Sequence, residues 1–366
     1  MKLGLVAWVA VAAALIAFSC SKKESIIGTA IVIDSTAAWI PFDPAKPADT
    51  LRFASLNMSI GFPVSQLLFV DMANDTIAFV VLDSLYKRYL RGRPSERLRA
   101  MAHAIDSLDL DVVGLQEVMS FNRDGAKVND FLAELAADIV ALGGPAYQVI
   151  PCPLNDTVLV GAKGGKTITI SFHEGNAMLV RPGFQILDSR NFGYFSLLPI
   201  PTSAGTVTER ALQYVKFKTP KGITWQAFNT HLEVFEDYSS SQTLEMRKIA
   251  DSLKVRNAQG LEAAPRVVIG DFNVNPGDYG HRILFEGGFR DTFDTTSTDP
   301  GHTCCIASSA LWDTTSAFSG RRIDFIMARH AVKAFDHKVE LKGAVGDSVR
   351  ILASDHRMVR VSIIGQ

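Results

Sequence analysis

Short apolar, β-branched runs that alternate with amphipathic stretches constrain the fold of this chain more than any other feature. The runs that predict strands are residues 51–56, 111–116, 147–150, 167–172, 177–181, 211–217, 223–229, 266–270, 323–328 and 357–364. No Gly/Ser-rich linker divides residues 51–366, and 47% of the chain is hydrophobic, enough to bury a sizeable core. The pattern predicts one mixed α/β domain over residues 51–366.

Amphipathic helices are predicted at residues 95–108, 127–142 and 241–255, because apolar residues recur there three and four positions apart. The segment 61–93 is also long and apolar, and it ends in basic residues. We interpret it as a buried helical insertion. The alternative is a membrane-facing flap whose basic edge would suit a lipid head group.

Residues 161–167 are rich in glycine and resemble a phosphate-cradling P-loop. Val160 occupies the position where that motif requires its first glycine. The residues that follow, 168–172, alternate as a strand does and do not open a helix. The stretch therefore predicts a hairpin turn and not a nucleotide site.

An apolar, uncharged run over residues 3–18 is followed by the small residue Ser19 and then by Cys20. This ending resembles the signal of bacterial lipoproteins, which implies that residues 1–19 are a signal peptide and that Cys20 carries the lipid. On this interpretation residues 20–50 are a lipid-anchored tether and linker. The protein would lie in the cell envelope, anchored to the bacterial membrane on its periplasmic side or at the cell surface. An ordinary signal peptide and an uncleaved anchor are the alternatives.

Three cysteines remain beyond residue 19 besides the one in the lipoprotein-like signal: Cys152, Cys304 and Cys305. An odd number leaves one thiol unpaired in an exported protein. Adjacent cysteines are poor partners for each other, so we expect Cys152 to pair with Cys304 or Cys305. The spacing does not provide the two separated ligand pairs of a structural zinc site.

Polar residues capable of metal binding and proton transfer follow the predicted strands. They are Asn57, Gln116, Glu117, Asn229, His231, Asp271, Asn273, Asp324, Asp355 and His356. Each alone has an ordinary explanation, such as an exposed loop position or a helix cap. Together they supply oxygen donors, which suit a hard cation such as Mg²⁺, and histidines near carboxylates, which suit proton transfer. The combination predicts metal-assisted chemistry on a phosphate ester.

Taken in order along the chain, these residues resemble the motifs of the endonuclease/exonuclease/phosphatase superfamily, from about residue 50 to the C-terminus. Segments 175–179 and 303–305 are similar to further family segments. The resemblance implies a four-layer sandwich, in which two mixed β-sheets pack face to face with helices outside. It also implies a divalent-metal-dependent phosphoric ester hydrolase with Mg²⁺ as cofactor, for which Mn²⁺ would substitute.

The same resemblance implies which residues hold the metal and the phosphate. Glu117 is expected to be the principal metal ligand, with Asn57 and Asp355 beside it. Asn176 and Asn229 are expected to bind the phosphate.

Catalytic roles are implied for five residues of this sequence. Asp271 would orient or deprotonate the attacking water, and Asn273 would hold a phosphate oxygen. His356 would stabilise or protonate the phosphoryl group, with Asp324 fixing its tautomer. His231 would contact the phosphate or the leaving group. The identity of the general base stays open.

Three functions are compatible with this site. The first is a phosphodiesterase or phosphatase acting outside the cytoplasm on lipid head groups or small phosphoesters. The second is an exported nuclease, and the third is an inactive lipoprotein that only binds. The formal charge of -1 favours the first over the second, because nuclease affinity depends on lysine and arginine contacts with phosphates. The third is disfavoured because every position of the family motifs holds a residue that is competent for catalysis. We expect a monomer held at the membrane by its N-terminal lipid.

Overall fold

The computed structural model describes residues 39–62, 72–199, 207–253, 264–293, 299–306, 310–315, 318–345 and 350–366. The predicted signal peptide, Cys20 and most of the predicted tether lie outside these ranges. The described residues all belong to one compact unit. None of the described helices combines the length and the apolar composition that a bilayer span requires.

Strands and helices alternate along the chain much as the apolar pattern predicts. In chain order, strands β1 to β19 are Asp49–Asn57, Val112–Arg123, Ala126–Asp130, Gln148–Lys163, Lys166–Val180, Gln185–Gly193, Leu198–Pro199, Val207–Thr208, Ala211–Lys218, Thr224–His231, Arg266–Asp271, Arg290–Asp291, Cys304–Ile306, Phe318–Arg321, Asp324–Arg329, Lys333–Glu340, Ala344–Val345, Ile351–Leu352 and Met358–Gly365. Helices α1 to α5 are Asp75–Arg91, Pro94–Ser107, Phe131–Ala141, Glu236–Ser252 and Tyr279–Glu286.

Two large mixed sheets form the centre of the domain. The first has the order β16-β19-β1-β2-β5-β4, with β3 paired to β2, and the second has the order β12-β15-β11-β10-β9-β6. Each contains one parallel pair, β1 with β2 and β10 with β11, among antiparallel neighbours. The two parallel pairs matter for the site, because their strands end at the same edge of each sheet.

Three apolar clusters define the layers. The middle cluster draws side chains from strands of both sheets, among them Phe53, Val112, Met178, Val215, Trp225, Val267, Ile326 and Val361. A second cluster packs α1, α2 and α3 on the outside of the first sheet, and a third packs α4 and α5 on the outside of the second. The predicted four-layer sandwich is confirmed.

Local differences from the predicted elements have local causes. The predicted helix over 127–142 begins only at Phe131, because residues 126–130 pair with β2 and Asp130 caps the helix by accepting from the Ala133 amide. Residues 167–172 and 177–181 belong to one continuous strand, β5. The predicted turn at 161–167 is confirmed, since Gly164 and Gly165 join β4 to β5 with φ of 57° and 77°.

The described part of the 61–93 insertion is helical and packed. Helix α1 buries Ala78, Leu82, Leu85 and Tyr89. It lies so close to β4 that a Cβ at Gly161 would stand 2.2 Å from the Phe79 nitrogen. Burial of one helix face supports the interpretation as a buried insertion; residues 63–71 lie outside the described ranges.

Cysteine pairing differs from the expectation. Cys304 and Cys305 form a disulfide with each other, and Cys152 is a free, buried thiol. Cys152 lies on β4, at an edge of the first sheet, whereas Cys304 lies on β13 and pairs with His356. The prediction that Cys152 pairs with one of them is wrong, because Cys304 and Cys305 are bonded to each other and Cys152 is left as a free thiol.

Residues 39–50, which the sequence predicts to be linker, contact the domain where they are described. The amide of Ile40 donates to the Ala331 carbonyl at 3.0 Å. Asp43 exchanges two hydrogen bonds with the side chain of Gln366, its amide donating at 3.0 Å and its carbonyl accepting at 2.8 Å. The chain therefore joins the domain before β1 begins.

Candidate active site

Strand alternation carries polar side chains to the end of the apolar interface between the sheets. On β11, Val267 and Ile269 face the middle cluster, and Asp271, two residues further, continues on the same face. The same continuation places these residues at the same end of the interface: Asn57 on β1, Asn176 on β5, His231 on β10 and Asp324 on β15. Pairing aligns His231 with Asp271 and Asp271 with Asp324 in adjacent strands. The site thus lies where both sheets end.

Glu117 reaches the site through a bulge in β2. The pairing of β2 with β5 shifts register between Leu115 and Val118, and Glu117 has a φ of 53°. A bulge breaks the simple alternation and re-aims a side chain. Gln116 still follows the alternation of Val112 and Gly114 and points between the sheets, where its Nε2 donates to Asn229 Oδ1 at 2.7 Å. Glu117 departs from the alternation and turns towards Asn57.

Asn57 connects the two acidic groups that the sequence predicts to be most important. Its Nδ2 donates to Glu117 Oε1 at 3.0 Å and to Asp271 Oδ2 at 3.1 Å. The second carboxylate oxygen of Glu117 accepts from the Ile60 amide at 2.8 Å. Burial, together with the negative charges of Asp355 and Glu174, raises the pKa of Glu117 to about 7.

Asp271 is buried at the centre of the site. Its Oδ1 accepts from the Asn273 amide at 3.0 Å, and its Oδ2 lies 3.6 Å from Nε2 of both His231 and His356. Burial and the neighbouring charge of Asp324 raise its pKa to about 6, although His356 works in the opposite direction. A carboxylate with such a pKa accepts protons near neutral pH.

Asp324 and His356 form the predicted pair. His356 Nδ1 lies 2.9 Å from Asp324 Oδ2 and 3.2 Å from Asp324 Oδ1. Burial alone would lower the pKa of His356, but Asp324 and Asp271 outweigh it and hold that pKa well above its usual value. His356 is therefore an imidazolium at neutral pH, with Nδ1–H donating to Asp324 and Nε2–H facing Asp271.

His231 has the opposite surroundings. Arg210 Nη1 lies 2.9 Å from His231 Nδ1, and burial, Arg210 and His356 together lower the pKa of His231 well below its usual value. Arg210 Nε also donates to Glu233 Oε1 at 2.7 Å, and its Nη1 lies 3.8 Å from Glu174 Oε1. Sequence reasoning missed Arg210, Glu174 and Glu233. The only sequence feature that marks Arg210 is its position directly before a predicted strand. Many polar residues share that position, so it does not identify a functional residue.

The two predicted phosphate ligands lie in different settings. Asn229 is fully buried, and its Nδ2 lies within 3.2 Å of three acceptors: Leu115 O, Ala177 O and Gln213 Oε1. Those contacts join the two sheets and leave no amide hydrogen for a phosphate. Asn176 is only 3% exposed, and its Nδ2 has no hydrogen-bond partner among the described residues. A buried donor without a partner at the polar end of β5 fits a substrate oxygen.

Two further predicted residues sit at the rim. Asn273 donates from Nδ2 to the Leu232 carbonyl at 2.8 Å, which ties the turn after β11 to the turn after β10. Asp355 is partly exposed beside Ser354, whose hydroxyl donates to the Asn57 carbonyl at 2.7 Å. Since Asp355 also raises the pKa of Glu117, its charge acts on the predicted metal ligand.

The residues present fit a divalent cation. Two carboxyl groups, Glu117 and Asp271, have raised pKa values because burial and like charges oppose their ionisation, and a cation would offset that repulsion. Oxygen donors around Glu117 suit Mg²⁺. Asp271, Asp324 and His356 also have donor atoms within 4.8 Å of one another, but the imidazolium of His356 is committed to Asp324. The predicted ligands Glu117, Asn57 and Asp355 are the residues that could hold such a cation.

Comparisons with known proteins agree with this geometry. A family model described as the Endonuclease/Exonuclease/phosphatase family matches residues 90–356. A solved family protein from Bacteroides vulgatus is 19% identical, with a TM-score of 0.54 over 87% of this chain and 100% of that chain. One from Bacteroides thetaiotaomicron is 17% identical, with a TM-score of 0.52 over 87% and 96%.

A mannosyl-6-phosphatase from Bacteroides thetaiotaomicron is 18% identical, with a TM-score of 0.50 over 86% of this chain and 99% of that chain. At such identities, structural likeness shows a shared fold. The comparison with curated proteins finds no match. The family match begins after Asn57 and does not cover β1.

Proposed function

We propose that this chain, which belongs to the endonuclease/exonuclease/phosphatase family, is a divalent-metal-dependent hydrolase of phosphate esters. One observation carries the proposal. Asn57 links Glu117 to Asp271 at 3.0 and 3.1 Å, and Asp271 in turn lies 3.6 Å from the imidazolium of His356. One buried network at the end of both sheets thereby joins the predicted metal ligand Glu117, the proton acceptor Asp271 and the positively charged ring of His356.

The residues divide the reaction between them. Asp271 accepts a proton from the attacking water, and its two bonded donors, Asn57 and the Asn273 amide, keep the carboxylate in place. As the new P–O bond forms, the bond to the leaving oxygen breaks. His356 neutralises charge on the phosphoryl oxygens, and the unpartnered Nδ2 of Asn176 donates to one of them. Glu117, Asn57 and Asp355 would hold the Mg²⁺, which would supply further charge neutralisation and stabilise the leaving oxygen.

For the substrate we propose a lipid head group or a small phosphoester. The formal charge of -1 provides no general basic field for nucleic acid. One structural relative is named a mannosyl-6-phosphatase, and we therefore include a sugar phosphate among the candidate substrates. Cleavage of DNA or RNA is the competing result in the test below.

The test is a hydrolysis panel with Mg²⁺, run on the full chain. It compares bis(p-nitrophenyl) phosphate, p-nitrophenyl phosphate, a sugar phosphate, sphingomyelin vesicles, and single- and double-stranded DNA. We expect turnover on at least one lipid or small phosphoester, loss in chelator, and restoration by Mg²⁺ or Mn²⁺. Glu117→Ala and Asp271→Asn should reduce the rate by about 10²-fold or more. Asp188→Asn, on the second sheet but outside the site, is the matched control. Full activity in excess chelator would refute the metal requirement, and preferential DNA cleavage would refute the substrate class.

We also propose that the enzyme is held at the cell envelope by a lipid on Cys20. The support is the apolar run over residues 3–18, which is followed by the small residue Ser19 and by Cys20. Cys20→Ser should abolish incorporation of labelled fatty acid and leave an unprocessed or soluble product, while Cys152→Ser should keep the label. An unlipidated mature N-terminus several residues beyond Cys20 would instead show simple secretion.

A further inference from the structure

Arg210 is a buried cation whose contacts all point to the site. It precedes β9, and its side chain is 10% exposed. Nε donates to Glu233, which is itself 2% exposed, and Nη1 faces both His231 Nδ1 and the Glu174 carboxylate. The backbone carbonyl of Arg210 also accepts from the Tyr194 amide at 3.1 Å. Both ends of the residue are thereby held, so the guanidinium has little freedom to leave His231.

A guanidinium has only donors, and this decides the state of the histidine that it contacts. Because Arg210 Nη1 donates to His231 Nδ1 at 2.9 Å, that nitrogen must carry a lone pair. The remaining proton of the ring is therefore on Nε2, which lies 3.6 Å from Asp271 Oδ2, at the centre of the site. The opposite choice, a proton on Nδ1, would place two hydrogens between the same two nitrogens.

We propose that Arg210, held by Glu233 and Glu174, is a positioning residue that fixes His231 as the neutral Nε2–H tautomer. His231 then acts on the phosphate ester as a hydrogen-bond donor and does not remove a proton from the water. This inference rests on the proposed phosphoester hydrolysis and adds the role of one side chain of that site.

The two histidines of the site therefore have different protonation states, which are set by the groups that they contact. His356 contacts a carboxylate, Asp324, and is a cation; His231 contacts a cation, Arg210, and stays neutral. Two imidazolium rings, each 3.6 Å from the same Asp271 oxygen, would repel each other. A neutral donor beside a charged one avoids that cost and still directs two N–H groups at the reacting phosphate.

The tautomer is tested directly, without turnover, by long-range ¹H–¹⁵N spectra of metal-free protein, with the His231 signals identified by their loss in His231→Gln. We expect Nε2 protonated and Nδ1 bare in the wild type, and a mixture of tautomers or partial protonation in Arg210→Met. A protonated Nδ1 in the wild type would overturn the proposal. So would an unchanged tautomer in Arg210→Met.

Kinetics on bis(p-nitrophenyl) phosphate with Mg²⁺ then separate positioning from a merely structural role. Arg210→Met should lower kcat about 10- to 100-fold with little change in KM, and Arg210→Lys should recover part of the loss. In a His231→Gln background, whose amide donates near the Nε2 position, Arg210→Met should cost much less. His231→Asn, whose amide is shorter, should lose more activity than His231→Gln.

The matched control is Arg266→Met, which removes another buried arginine from the same sheet, one that donates to Gln226 and to the Ala250 carbonyl of α4. It should lower stability without lowering kcat in the molecules that remain folded. Equal effects of Arg210→Met and Arg266→Met on kcat, or full additivity of Arg210→Met with His231→Gln, would contradict the positioning role. If no substrate is hydrolysed at all, the proposed function fails, but the spectra still decide the tautomer.

Discussion

Single side chains in this site take their chemistry from the neighbour they contact. The contrast between His356 and His231 shows this, because identical rings differ in charge according to whether a carboxylate or a guanidinium lies at Nδ1. Asp271 shows it for a carboxylate, since burial and the neighbouring charge of Asp324 raise its pKa. Residue type alone therefore does not determine the role of a residue here.

The Asp324–His356 pair leads to a prediction at this scale. His356→Ala should lower kcat/KM by about 10²- to 10⁴-fold, because the rate depends on a positioned cation. Asp324→Asn should share much of the loss, since the ring loses the charge that orients it. The double variant should be only slightly worse than His356→Ala, because both act as one unit. Additive losses in kcat/KM on bis(p-nitrophenyl) phosphate would show that the two residues act independently.

At the scale of elements, helix α2 holds the loops that carry the site. Arg97 on α2 is 1% exposed and donates through Nε to the Ala353 carbonyl at 2.8 Å and through Nη2 to the Ser59 carbonyl at 2.6 Å. One carbonyl lies two residues before Asp355, and the other lies two residues after Asn57. A helix outside the first sheet thereby links two loops that approach the predicted metal region.

Arg97→Met should therefore have two effects. We expect a loss of about 3 kcal/mol in the free energy of unfolding, because buried carbonyls lose a charged donor. We also expect weaker Mg²⁺ binding, since Ile60, which follows Ser59, donates to Glu117. Urea unfolding and a Mg²⁺ titration measure the two effects. Arg99→Met, exposed on the same helix, is the control, and identical behaviour of the two variants would contradict the prediction.

For the whole molecule, the buried carboxyl groups of the site lower the free energy of unfolding of the metal-free protein. Burying Glu117 and Asp271 raises their pKa values to about 7 and about 6, so the folded state holds protons that the unfolded state has released. Stability falls as pH rises wherever the folded state binds more protons. The contribution of Glu117 is therefore unfavourable above the ordinary carboxyl pKa, and it grows until pH reaches about 7.

Glu117→Gln should isolate this contribution. Relative to the wild type, the variant should gain stability as pH rises from about 5 to about 8, by on the order of 2 kcal/mol, because it carries no charge to desolvate. Saturating Mg²⁺ should stabilise the wild type far more than the variant and close the gap, since binding to the folded state adds to stability. Thermal unfolding across pH, with and without Mg²⁺, measures both effects. A pH-independent difference between the two proteins would mean that Glu117 is not desolvated.

The sequence by itself determined the parts of this protein that depend on local periodicity. Short apolar, β-branched runs predicted the strands, and the polar residues at the ends of those runs predicted Asn57, His231, Asp271 and Asp324 as site residues. Helix spacing predicted α2 closely, but it extended α3 into residues that pair with β2, because pairing is not a local property.

Only the tertiary structure decided which groups meet. Asn57 and Asp271 lie 214 positions apart in sequence and form a hydrogen bond, so no spacing rule could join them. The position of Asn229 between the sheets emerges only when both sheets are packed, and the link of Arg210 to His231 arises only when β9 pairs with β10. The reason is physical: burial, charge partners and hydrogen bonds set protonation, tautomer and role, and they arise when distant strands converge.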